Sequence, residues 1–291
     1  MVQLYYQNFH RSHPVLVPRR ALQSPLRARL PAYLPAIMRY IGAHYYPDPL
    51  FKESYRAAAY EALAAPKDGF RVQALLLLAI VEHAHGSEDA ARRSLDSAIT
   101  DALALGMNRA PFAREHAAGD AVLEESWRRT YWELYVVDGL LAAMSEQGVF
   151  RLGQQKTGVK MPCAEHMYNA AVDVSRLPGP SFALTNAGDG QVVANPHTLD
   201  DMEREWAFGD GSHASSFAYR IQAVRNLGQV LEVNRSLDVD TEATVEAVDA
   251  ALFSAVMRLP SAYDSSSVDE MVFQAEMINY LCVAPSFPRQ H

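Results

Sequence analysis

The sequence predicts an all-α protein, a multi-helix bundle of stacked antiparallel helical hairpins interrupted by one long irregular excursion. Three observations lead there. Apolar residues recur at three- and four-residue steps through most of the chain. No stretch sustains the apolar–polar alternation of a half-buried strand, and no hairpin dipeptide joins two such runs. The periodic runs are closed by helix stop signals such as Gly86 and Gly106.

In chain order, residues 1–35 carry Pro14, Pro18, Pro25 and Pro31, which break any long helix and leave short helical turns joined by extended links. Arg19, Arg20, Arg27 and Arg29 form a local basic cluster there, read as solvated surface. Helical periodicity begins at Ala36. Asp48 caps a helix running to about Ala65, with Pro49 at its first position, where a missing N–H costs nothing. Asp68 or Gly69 opens the next, with Val72, Leu75, Leu76, Ala79 and Ile80 on one face and Gly86 as its stop. Ser87 caps a third helix, whose buried stripe is Leu95, Ala98, Ile99, Ala102 and Leu105, ended by Gly106. The turn between these two helices is so short that they must pack antiparallel. A fourth helix runs from about Asp120 to Met144 and carries Trp127, Tyr131, Leu134, Tyr135, Val137 and Asp138.

Residues 145–200 lose the periodicity and are rich in Gly, Pro, Asn and Ser, an excursion with one short helix near Ala164 to Val174. A loop of that length is a functional or a disordered one. Helices resume at about His213–Asn234, Thr241–Arg258 and Val268–Leu281, and Pro285 and Pro288 end the last. Residues 1–291 read as one domain.

Hydrophobic types make up 49% of the 291 residues and charged types 21%, which excludes the disordered and fibrous classes. The net charge of -8 opposes a phosphate backbone, so this chain is not expected to bind nucleic acid by itself. Cys163 and Cys282 are the only cysteines, too few for a disulfide framework or a four-ligand zinc site. The first residues, MVQLYYQNFHRSHP, lack the basic-then-apolar order of a signal peptide, and the longest apolar run, Ala74 to Val81, is too short to cross a bilayer. A chain inside the cell, away from membranes, is expected.

Catalytic chemistry finds little footing. His83 and His85 stand two apart on a helix and so point to different sides, unlike the four-residue spacing that shares a metal. Cys163 and His166 form a Cys-x-x-His pair, with no second pair for a zinc site and no orienting partner for a nucleophile. No glycine-rich phosphate cradle, nucleophile elbow or His-Glu-x-x-His is present. Gly209-Asp210-Gly211-Ser212 reads as a turn with Ser212 as a helix cap. No catalytic residue and no metal ligand is assigned.

Three segments resemble, in order, the fungal-specific transcription factor domain, the middle homology region of zinc-cluster factors. They are LYYQNFHRSHPVLVPR at 4–19, VQALLLLAIVEHAHG with SLDSAITDALALGMNR at 72–86 and 94–109, and EESWRRTYWELYVVDG at 124–139. Met161-Pro162 follows where such proteins often have an apolar residue and a proline. The resemblance implies a regulatory domain, effector-sensing or auto-inhibitory, of a nuclear factor. It implies a small-molecule effector, the transcription machinery or co-regulator proteins, and a second copy of the chain as partners. DNA and zinc would enter only through a six-cysteine cluster that these residues do not contain, so no cofactor is expected here. Two departures stand out: Gly139 where the family often has an arginine, and Tyr131 where it has a second tryptophan. The missing cluster and Gly139 motivate the alternative of a stand-alone relative that reuses the helical pocket as a small-molecule binder or enzyme.

Within this frame Phe9, His10, Trp127, Arg128 and Tyr131 are the expected ligand-binding residues, aromatic faces around one guanidinium. Arg128, Trp132 and Asp138 are expected to form a structural clasp, since Arg128 and Trp132 lie one turn apart on the same face.

Overall fold

A computed structural model describes residues 1–145, 149–174, 197–207, 214–235, 241–263 and 268–283. These residues are helical with no β-strand, as the periodicity demands. The helices are α1 (Val2–Leu4), α2 (Tyr33–Ala43), α3 (Leu50–Tyr60), α4 (Gly69–Ala84), α5 (Glu88–Leu105), α6 (Phe112–Ala117), α7 (Ala121–Ala143), α8 (Glu165–Val174), α9 (Leu199–Ala207), α10 (Ser216–Arg235), α11 (Thr241–Arg258) and α12 (Glu270–Val283). No described helix is long and apolar enough to cross a membrane.

The chain divides into two compact units, residues 1–134 with the described part of 157–196, and residues 135–156 with the described part of 197–291. The division falls inside α7, in a chain whose sequence reads as one domain.

In the first unit the proline-broken N-terminus forms the expected short turns. A π-helical turn at Tyr5–Phe9 continues α1, and 3-10 turns follow at Arg19–Gln23 and Pro25–Arg29. Gly42 of α2 lets the chain start pack closely, because a Cβ there would fall 2.1 Å from the Met1 carbonyl oxygen. α2 begins at Tyr33, earlier than expected, with Pro35 tolerated in its first turn. α3 gives way at Glu61 to a 3-10 turn, where one helix to Ala65 was expected.

Asp68 caps α4 by accepting from the Arg71 N–H at 2.8 Å. Gly106 closes α5 in the left-handed conformation, φ 75°, and the Met107 N–H reaches back to the Ala102 carbonyl at 2.9 Å. Ser87 sits at the N-cap of α5 without a side-chain bond. Its N–H instead donates to the Glu82 carbonyl at 2.8 Å, folding α5 back onto α4. The core is built from Tyr5, Phe9, Leu34, Ile37, Leu77 and Leu78 with their neighbours.

In the second unit α10 packs on α11 and α12. Asp138, on the α7 residues of this unit, accepts from the Leu152 N–H at 2.7 Å and anchors the irregular segment that follows. α9 was not expected from the sequence, nor was α6 in the first unit. Thr198 and Asp201 form a reciprocal capping box at the start of α9, with the Asp201 N–H on Thr198 Oγ1 at 3.2 Å and the Thr198 N–H on Asp201 Oδ2 at 3.2 Å. Ser212, His213, Pro285 and Pro288 lie outside the described residues, as does most of the excursion beyond Val174.

Candidate functional site

A dense buried polar cluster among the described residues of the first unit is built on α7. Glu125 and Arg129, one turn apart, are 0% and 1% exposed at the side chain and pair at 3.0 Å. Arg129 then uses its whole donor fork: Nε to Glu125, Nη1 to Glu165 Oε2 at 2.5 Å, and Nη2 to the Cys163 carbonyl at 3.0 Å. Its guanidinium carbon lies 4.0 Å from the centre of the Tyr168 ring. Glu125 returns the contact by accepting from the Cys163 N–H at 2.9 Å. One further turn along, the Trp132 indole N–H donates to the Lys160 carbonyl at 2.9 Å. The segment leading into α8 is thereby strapped to α7 at several points.

The electrostatics follow from this pairing. Burial alone would lower the Arg129 pKa, but Glu125 and Glu165 reverse it and hold the guanidinium charged. Burial, reinforced by Glu125, raises the Cys163 thiol well above its ordinary value, so it is no thiolate nucleophile. His166 is exposed beside it.

The N-terminal segment meets the adjoining face of α7, about 100° round the helix. His13 Nδ1 lies 2.8 Å from Glu133 Oε1, and the Ser126 hydroxyl donates to the Val15 carbonyl at 2.9 Å. From α4, the Gln73 amide donates to Ser126 and Thr130 at 2.9 and 2.8 Å. His10 is buried, with Nδ1 3.5 Å from the Tyr5 hydroxyl and its ring 4.7 Å from that of Tyr6. Burial pushes its pKa down to about 4, with Glu165 opposing the shift and Arg129 and His13 adding to it.

The residues expected from sequence are distributed as follows. Phe9 and His10 lie in the N-terminal turn, Phe9 stacking near Tyr5 and His13. Trp127 packs against Phe70 of α4 and Phe112 of α6, with ring centres 4.8 and 6.4 Å away. Tyr131 meets Trp132 edge-on at 5.3 Å. Arg128 is paired within its own helix, to Glu124 and, at 3.0 Å, to Glu125. The three clasp residues each make a separate contact: Arg128 to those glutamates, Trp132 to Lys160, and Asp138 to Leu152.

Arg129, Glu125 and Glu165 do the bridging between segments, and the sequence reading missed them. The Glu125/Arg129 spacing of four was the legible signal. Arg128 drew attention because it lies one turn from Trp132, but the face turned to the 160–168 segment is that of Glu125, Arg129 and Trp132.

A family described as "Fungal specific transcription factor domain" matches residues 2–183. A protein named "C6 finger domain transcription factor iacK", from Pestalotiopsis fici, is 32% identical over 289 residues, 97% of this chain. The chain spans 40% of that relative's length. No solved structure matches it. The Glu125–Arg129 clamp and the Trp132 strap lie inside the matched region, and the chain belongs to the fungal specific transcription factor domain family.

Proposed function

We propose that this chain is the regulatory domain of a zinc-cluster transcription factor, controlling transcription in the nucleus without itself touching DNA. The observation that carries this is the continuous similarity to a named C6 finger factor over 289 residues. DNA contact and zinc then belong to a six-cysteine cluster outside these residues, and the net charge of -8 fits a domain that leaves DNA to another part of the protein. Buried Glu125, Arg129 and Gln73 are engaged in holding α7 to its neighbours, which supports a non-enzymatic reading.

The effector-sensing form of this function uses Phe9, His10, Trp127, Arg128 and Tyr131. It requires Arg128 to exchange Glu124 and Glu125 for an acidic or carbonyl-bearing metabolite. The auto-inhibitory form requires no such exchange and works through contacts of the chain with other parts of the factor.

The test is to tether the chain to a heterologous DNA-binding domain upstream of a reporter. The expected result is an output different from that of the DNA-binding domain alone. Identical outputs at matched protein levels overturn the proposal.

A further inference from the structure

We propose that the α11–α12 face of the second unit docks an amphipathic helix of a partner protein, one that carries a basic side chain beside its apolar anchors. α12 buries Met271, Val272, Ala275 and Ile278 but exposes Phe273, Met277, Tyr280 and Leu281. Those four fall at i, i+4, i+7 and i+8, a single stripe along the helix. α11, its packing neighbour, exposes Phe253 and Met257 one turn apart, each at 70%. Scattered exposed apolar residues are ordinary, whereas a stripe of four along one helix marks a surface that is covered in use.

Between the two helices opens a cleft of about 210 Å³, walled by Val256 of α11, Leu259 and Tyr263 of the connection, and Glu276 and Tyr280 of α12. Pockets for metabolites run from roughly 300 to 1,000 Å³, so this one suits a single apolar side chain delivered by a helix. Among the described residues of the wall Glu276 is the one that is charged. The nearest cation along α11, Arg258, donates to the Trp206 carbonyl at 3.1 Å and lies 5.9 Å from the Trp206 ring. Asp269 and Glu270 at the start of α12 add negative charge to a chain already at -8. The face therefore selects a cation beside the apolar anchor and repels an acidic helix. A second copy meeting it about a two-fold axis would bring one acidic face toward another, like charge toward like.

This surface deepens the regulatory reading and rests on it for the partner's being a co-regulator. The test is selection of a phage-displayed library of helical peptides against the full chain, with Glu276→Arg and Tyr280→Asp as variants whose melting temperatures are checked first. The expected consensus has large apolar residues at i, i+3 or i+4, and i+7, flanked by Arg or Lys. A synthetic peptide of that consensus should bind the wild type and lose at least tenfold in affinity against either variant, and Glu276→Arg should shift selection toward Asp or Glu. Failure to enrich, an acidic or uncharged consensus, or affinity indifferent to Glu276→Arg overturns the proposal. So does a dimer in sedimentation that dissociates with Met277→Asp, because a second copy is then the occupant. The two readings fail separately: a tethered chain that leaves the reporter unchanged while the peptide binds removes the regulatory reading, and a responding reporter with no peptide bound removes only the docking face.

Discussion

Arg128 and Arg129 are adjacent in sequence yet have different tasks. Arg129 neutralises a carboxylate, Glu125, that has no exposure to water, whereas Arg128 pairs along its own helix with a partly exposed Glu124. Arg129→Met should cost about 3–5 kcal/mol in denaturant unfolding, because it leaves Glu125 buried with much of its compensation gone. Arg128→Gln should cost less than half as much, since Arg129 still holds Glu125. Equal costs would show that the two arginines share the load. The i,i+4 spacing of Glu125 and Arg129 was legible in the sequence. Which arginine bridges was not, because that depends on Glu165, 36 residues away, which local pattern cannot place.

His10 gives the residue scale a second test, through pH. Its folded pKa of about 4 lies below the ordinary imidazole value of 6.5, so the unfolded chain binds the proton more readily. Stability from this group is complete above pH 6.5 and is lost as pH falls from 6.5 toward 4, at up to roughly 1.4 kcal/mol per pH unit for one proton. His44, half-buried against His85, is also lowered to about 4 by burial and then by His85, and it works in the same direction. Unfolding free energies of wild type and His10→Asn measured across pH 4–7 should converge at the acid end. Parallel curves would mean that His10 takes up its proton without penalty.

At the scale of elements, the cap and stop signals served well where they were strong. Asp68, Gly106 and the period of α11 set boundaries that the sequence alone located, while α6 and α9 are short enough to fall below a periodicity search. α9 was readable by another route, since Thr198 and Asp201 have the spacing of a capping box. Gly139 was legible only as a departure from the family, and packing explains it. A Cβ there would come within 2.5 Å of Val224 Cγ1 and 3.2 Å of the Phe150 ring, so the helices of the second unit meet too closely for a side chain. Gly139→Ala should destabilise by about 1–3 kcal/mol through overpacking, and Gly139→Arg by more. An arginine tolerated there without loss in thermal melting would mean that this contact is loose.

At the scale of the whole molecule, all-α character was written plainly in the sequence because every long periodic run is helical. The split into two units was not, because it falls inside the unbroken periodicity of α7, and only contacts between distant residues define it. Net charge speaks to partners at this scale. In a gel shift at low salt the chain alone should show no sequence-dependent binding to duplex DNA, and a sub-micromolar, sequence-dependent shift would contradict the division of labour proposed for it.

The most direct measurement is transcriptional output from a reporter when the chain, in wild-type form and as Arg129→Gln, is tethered to a heterologous DNA-binding domain at matched abundance. The prediction is that the wild type changes output relative to the DNA-binding domain alone, and that loosening the buried clamp changes it again. Output indistinguishable among all three proteins would contradict a regulatory role for this chain.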